Sequence, residues 1–75
     1  MEAVILSPRG IFFEGRAESV VLPGEEGVFE VLSYHKNMIS RLVNGFISIN
    51  NKPMIFIRRG VAKIEDNVTT VIVEE

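Results

Sequence analysis

The sequence predicts an all-β chain, a two-sheet antiparallel β-sandwich of eight to ten short strands. Short apolar runs alternate with turn-forming residues at regular intervals, and no stretch shows the longer period of an amphipathic helix. Gly, Pro and Asn separate the runs because they adopt turn conformations that strand residues rarely adopt. At 75 residues the chain is predicted to be a single domain, residues 1–75, with a thin core.

Four strands are predicted in the first half of the chain. They span residues 3–6, 11–13, 16–22 and 28–32. Gly15 is expected to end the second strand, because glycine weakens a strand interior and favours turns. Pro23-Gly24 is expected to force the next turn, and Gly27 to begin the fourth strand.

Five strands are predicted in the second half. They span residues 38–43, 45–49, 54–58, 61–65 and 68–73. The apolar spacing of residues 38–43 would also suit a helical turn, but β-branched residues and short length favour a strand. Asn44-Gly45 is a strong two-residue hairpin signal because both residues tolerate positive φ. Asn50–Pro53 is expected to connect the following pair of strands.

Composition excludes several classes of function. The net charge of −2 argues against a nucleic-acid-binding domain, which usually has a basic surface. The chain has no cysteine and a single histidine, His35, so neither a disulfide framework nor a zinc site is expected. The longest apolar runs, residues 3–6 and 54–57, are far too short to insert directly into a membrane.

Charge is distributed unevenly along the chain. Residues 1–30 hold six acids and two arginines, residues 31–64 hold six basic residues and no acid, and residues 65–75 hold four acids. Neighbouring strands could pair these charges across the sheet. Alternatively, the basic segment could form a patch that faces an acidic partner or lipid head groups.

No arrangement of residues points to catalysis. None of the serines lies in a Gly-x-Ser-x-Gly context. Glu25 and Glu26 are adjacent on a turn, which directs their carboxylates apart rather than toward one bond. No phosphate-binding Gly-x-x-x-x-Gly-Lys loop is present. We therefore expect a non-catalytic protein without a cofactor.

Several strands are apolar on both faces, which points to an interface. Met54 and Phe56 alternate with Ile55 and Ile57, and Phe46 opposes Ile47 and Ile49 in the same way. Residues 68–73 repeat the pattern. A sandwich of this size has too little interior to bury both faces, so the surplus face predicts a protein contact. The alternative is that a twisted, curled sheet buries both faces itself.

The order of the turn and strand residues over nearly the whole chain resembles one known family. The matching elements are Leu6-Ser7-Pro8, Phe13-Glu14-Gly15, Gly24-Glu25-Glu26-Gly27, His35, Leu42-Val43-Asn44-Gly45, Gly60-Val61 and Asn67-Val68-Thr69-Thr70-Val71. This order resembles the N-terminal β-sandwich domain of the epsilon subunit of F-type ATP synthases. The chain departs from the family at Glu30, at Ser33-Tyr34 and at Lys36-Asn37, where the family has Gly, Pro and Ala-Pro.

The resemblance implies a non-catalytic rotor subunit in the central stalk. Such a subunit clamps the gamma subunit to the c-ring, so that ion flow drives ATP synthesis, and lies at the cytoplasmic face of the bacterial inner membrane. The chain ends at Glu75, where this family usually begins two C-terminal helices, so the helical inhibitory arm is not expected. The residues implied for the c-ring contact are Gly24, Glu25, Glu26, Gly27, Val28, Tyr34 and His35. Those implied for the gamma contact are Phe46, Ile47, Met54, Phe56 and Arg58.

A second hypothesis is a free-standing β-sandwich that binds a peptide or a carbohydrate. That protein would have a ligand groove and no affinity for parts of an ATP synthase.

Overall fold

A computed structural model describes residues 1–75 and contains nine strands and no helix. The strands are β1 (Glu2–Ser7), β2 (Gly10–Arg16), β3 (Ser19–Gly24), β4 (Gly27–Leu32), β5 (Met38–Leu42), β6 (Gly45–Ile49), β7 (Lys52–Ile57), β8 (Arg59–Glu65) and β9 (Val68–Glu74). The predicted all-β class and strand number are confirmed. The β-branched segment after residue 37 forms the strand β5, not a helical turn.

The strands form two layers that belong to one curled sheet. The hydrogen-bonded order is β2-β1-β9-β8-β5-β3-β6-β7, with β4 on the other edge of β3. One residue pair, Gly24 with Leu42, joins the layer β2-β1-β9-β8-β5 to the layer β4-β3-β6-β7. The fold is therefore sandwich-like, although its two sheets are continuous.

One pair departs from the predicted antiparallel arrangement. β1 and β9 run parallel, with Ala3 opposite Thr69 and Ile5 opposite Val71. Parallel neighbours cannot be joined by a tight turn. β1 and β9 meet this condition because the other seven strands come between them in the sequence, although the two are neighbours in the sheet.

The core lies between the two layers and follows the two-residue period of the strands. Buried and exposed positions alternate along β1, β8 and β9, because successive side chains point to opposite faces of a strand. Only 20 of the 75 residues are buried, so the core is thin, as expected for this length. The inward-facing apolar side chains include Ile5, Leu22, Ile47, Ile57 and Val71.

Two glycine-containing segments differ from the prediction. Gly15 does not end a strand, because it pairs with Ala3 and β2 continues to Arg16. Pro23-Gly24 is not a turn; both residues complete β3, and the turn is Glu25-Glu26. Gly24 is required by close packing, since a Cβ there would lie 2.7 Å from the Gly27 carbonyl oxygen and 2.8 Å from the Phe29 ring.

The predicted hairpin at Asn44-Gly45 is also wrong. β5 and β6 do not pair; β5 pairs with β8, and β6 pairs with β7 and β3. The two-residue hairpin turns with positive φ at both residues are instead Asn50-Asn51 and Asp66-Asn67, whose φ angles lie between 51° and 66°. Positive φ at both central residues is typical of the type I′ turn, which matches the twist of paired strands. β7 then begins at Lys52, earlier than predicted, and ends before Arg58.

The turns collect at two opposite ends of the molecule. The acidic-turn end contains the β1–β2 turn, the Glu25-Glu26 turn, the β5–β6 connection and Glu75. The asparagine end contains residues 33–37, the Asn50-Asn51 turn and the Asp66-Asn67 turn. β4 runs from the first end to the second, and six strand residues span roughly 17 Å.

Candidate functional site

The acidic turn, Glu25-Glu26, projects from the acidic-turn end. Both side chains are exposed, and neither forms an ion pair within the chain. The Glu25 N–H donates to the Arg41 carbonyl oxygen (3.1 Å), which fixes the turn against β5. The close approach at Gly24 fixes it against the start of β4. The turn thus holds two exposed carboxylates, neither in an ion pair within the chain, on a rigid support.

A groove of about 420 Å³ lies beside the acidic turn, between β4 and β5. Val28 and Ile39 line it and are 73% and 71% exposed, whereas Phe29 and Met38 line it and pack against the core. The predicted ring-contact residues Gly24, Glu25, Glu26, Gly27 and Val28 all line this groove. The structure therefore brings these five residues together.

Tyr34 and His35 lie at the asparagine end, separated from the acidic turn by the length of β4. Tyr34 has a φ of 64°, and its N–H donates to Asn67 Oδ1 (2.7 Å). The His35 N–H donates to the Leu32 carbonyl oxygen (3.1 Å). The structure does not bring this pair together with Gly24–Val28.

Asn37 stands where the family that the sequence resembles has proline, and its side chain holds a neighbouring turn. Its Oδ1 accepts a hydrogen bond from the Asp66 N–H at 3.0 Å. Asn50 Oδ1 likewise accepts from the Glu18 and Ser19 N–H groups. These carboxamides connect neighbouring loops, so the path around His35 is held by side-chain hydrogen bonds.

An aromatic face, composed of Phe46, Met54, Phe56 and Arg58, covers the outside of β6 and β7. The Phe46 and Phe56 rings form an edge-to-face pair with centroids 5.0 Å apart, and they are 57% and 49% exposed. Four of the five predicted gamma-contact residues lie on this face. Ile47, the fifth, points into the core and is fully buried, so its inclusion is corrected.

The layer opposite the aromatic face carries an apolar surface that the sequence reasoning missed. Leu6 pairs with Ile11 on one side and Ile72 on the other, and Ile72 pairs with Val61. These four residues form an aliphatic row across four strands, and Ile11 and Ile72 are more than half exposed. Alternation within residues 68–73 indicated part of the row, but its width depends on a non-local strand order.

Cross-strand pairing accounts for part of the uneven charge distribution. Arg59 and Glu74 are opposite each other in the ladder, and their side chains form an ion pair at 3.1 Å. The Arg59 hydrogen bond and charge lower the pKa of the Glu74 carboxyl, and Glu74 in turn raises the pKa of Arg59. Two further ion pairs are not cross-strand: Arg9, in the β1–β2 turn, pairs with Glu75 at 3.0 Å, and Lys63 pairs with Glu65 of the same strand at 3.2 Å. The basic middle segment is thus partly neutralised by the acidic C-terminal residues.

Two further findings bear on the class of site. No cluster of three or more metal-ligating side chains occurs in the structure. None of its elements is a helix able to cross a membrane.

Sequence relatives agree on one family. Residues 1–75 match the family described as ATP synthase, Delta/Epsilon chain, beta-sandwich domain. The ATP synthase epsilon chain of Sulfurimonas denitrificans is 39% identical over 74 residues, covering 93% of this chain and 57% of the relative. That of Campylobacter jejuni is 38% identical over 72 residues, covering 91% and 56%. The chain therefore spans somewhat more than half the length of these relatives.

Solved structures share the fold at lower sequence identity. A chain of the Tetrahymena thermophila mitochondrial ATP synthase central stalk and c-ring superimposes with a TM-score of 0.85 at 13% identity, covering all of this chain and 63% of that one. A chain of the Euglena gracilis mitochondrial ATP synthase superimposes with a TM-score of 0.82 at 16% identity, covering 97% and 49%. From the family match and its sequence relatives, this chain belongs to the ATP synthase delta/epsilon β-sandwich domain family.

Proposed function

We propose that this domain is a non-catalytic part of the central stalk of an ATP synthase, where it clamps the gamma subunit to the c-ring. Its role is mechanical, because it joins two partners so that they turn together. The proposed location is the cytoplasmic face of the bacterial inner membrane, on the periphery. The proposal concerns residues 1–75, which contain no helix.

The observation that carries the proposal is the aromatic face. Ile47 and Ile57 already fill the core beneath β6 and β7, whereas Phe46 and Phe56 lie outside it, about half exposed, and pack edge to face on each other. Clustered, half-exposed aromatic side chains are typical of the residues that dominate protein interfaces. We assign this face to the gamma subunit.

The acidic turn is the proposed contact with the c-ring. Its support is the pair of exposed carboxylates, which form no ion pair within the chain and line one groove together with Val28 and Ile39; this suits a partner loop that carries a basic residue. The aromatic face and the acidic turn belong to different parts of the surface, so both partners can bind at once.

Phe56→Asp tests the gamma assignment. Because Phe56 lies outside the core, the variant should fold and lose gamma binding, since removing an aromatic anchor typically costs about 2 kcal/mol or more of binding free energy. The measurement is co-purification with gamma, read by native mass spectrometry as a one-to-one complex.

Two control variants make the result specific. Ile72→Asp puts the same charge on the aliphatic row of the opposite layer and should keep gamma binding. Ile57→Asp places a charge in the core and should unfold the domain. Equal gamma binding by folded Phe56→Asp and wild type would refute the assignment. A wild-type monomer that ignores gamma would instead support the free-standing binding module.

A further inference from the structure

Asn44-Gly45 is the one Asn-Gly pair in the chain, and it has no role as a hairpin turn. It forms a bend between β5 and β6, which belong to different layers. We propose that Asn44 is a covalent modification site, at which the side-chain amide converts spontaneously to a carboxylate.

The reaction needs only the chain itself and solvent water. The Gly45 backbone nitrogen attacks the Asn44 Cγ, a C–N bond forms, and the amide nitrogen leaves as ammonia with the proton lost by Gly45. The five-membered succinimide ring then adds one water and opens at either carbonyl, giving aspartate or isoaspartate. No oxidant or other co-reactant is consumed. Glycine favours the first step because it has no Cβ to hinder approach to its own nitrogen.

The environment of the carboxamide separates Asn44 from most of the other asparagines. Asn44 is exposed, and no hydrogen bond within the chain holds its side chain. In contrast, the Oδ1 atoms of Asn37, Asn50 and Asn67 each accept backbone N–H groups at 2.7–3.2 Å. Those bonds restrain rotation of the carboxamide, which the attack requires. Asn51 is also unbonded, but it is followed by Lys52, whose side chain crowds the attack.

The new carboxylate would appear beside the aromatic face. Gly45 pairs with Ile57, so the next step of the register places Asn44 near Arg58. Arg58 forms no side-chain ion pair in the chain; its Nε donates to the Glu75 main-chain oxygen at 3.0 Å, and its charge contributes to the lowered pKa of the Glu74 carboxyl. Deamidation would therefore add a negative charge at the basic margin of this face. The modification itself does not depend on the proposed function.

Site-resolved peptide mass spectrometry tests the proposal on the folded protein. The wild type is incubated at mildly alkaline pH, and a parallel sample is held in urea as the unfolded reference. Asn44 should be the first asparagine converted in both samples. The product should be a mixture of aspartate and isoaspartate, which an isoaspartyl methyltransferase assay detects. Asn44→Gln is the matched control, because glutamine would need a less favourable six-membered ring, and it should stay unmodified.

Two results from the comparison of samples would overturn the proposal, and so would a third, the absence of any conversion in urea. One is an intact Asn44 in the folded protein after the time that converts it in urea, because the fold would then protect it. The other is conversion of any other asparagine before Asn44, in either sample. If Asn44 stays intact even in urea, the chemistry assigned to this pair is wrong.

Discussion

At the residue scale, glycine is required at position 24 for a different reason from the one that the sequence suggested. Proline followed by glycine usually indicates a turn, but Gly24 is in a strand and is needed for space. Gly24→Ala would press a methyl group against the Gly27 carbonyl oxygen and the Phe29 ring. We expect the free energy of unfolding to fall by about 1–3 kcal/mol, as for other overpacked sites.

Urea denaturation measures this loss, with Glu25→Ala as the control. Glu25 is the adjacent, exposed residue, and its truncation should change stability by no more than about 0.5 kcal/mol. If Gly24→Ala proved as stable as Glu25→Ala, the close approach of β3 and β4 would not be a constraint.

At the element scale, the β6–β7 hairpin depends on Asn50 more than on Asn51. Both residues have positive φ, so alanine at either position should cost about 1 kcal/mol of backbone strain. Asn50 Oδ1 also accepts the N–H groups of Glu18 and Ser19, which anchors the turn to β3. We therefore expect Asn50→Ala to lower the free energy of unfolding by about 1 kcal/mol or more beyond Asn51→Ala.

Thermal or urea unfolding of the two variants side by side makes this comparison. Each variant is the other's control, because they share the turn and the strain. Equal losses would show that the anchoring hydrogen bonds contribute nothing to stability.

Strand positions were predictable from the sequence, whereas strand partners were not. Short apolar runs between turn-forming residues placed all nine strands, because both signals are local in the sequence. Asn44-Gly45 was misread because a turn signal is local, whereas β5 finds its partner in β8, beyond two intervening strands. Gly15 was misread for a similar reason, since its place in the ladder is set by β1.

At the scale of the whole molecule, the strands that are apolar on both faces predicted an exposed apolar surface. They did not show which face of each strand is exposed. In the structure Phe46 and Phe56 face outward, while Ile47 and Ile57 fill the core.

The aliphatic row was not predictable, because its four residues come from four strands that only the tertiary fold aligns; they are Ile11, Leu6, Ile72 and Val61. The two ends of the molecule are likewise a property of the fold. The family resemblance implied one contact for Gly24–Val28 and Tyr34-His35, yet β4 separates them.

The distance between the two ends leads to the last prediction, because a rigid domain would present only one of them to the proposed c-ring partner. We expect the acidic-turn end to face the ring, since Glu25 and Glu26 are unpaired there. Charge reversal by Glu25→Lys with Glu26→Lys should weaken coupling of proton flow to ATP synthesis and leave gamma binding intact. Tyr34→Ala with His35→Ala, at the other end, should leave coupling unchanged. Proton-driven ATP synthesis in membrane vesicles measures both. The reverse pattern would place the asparagine end against the ring, and unchanged coupling in both variants would mean that neither end contributes to the contact.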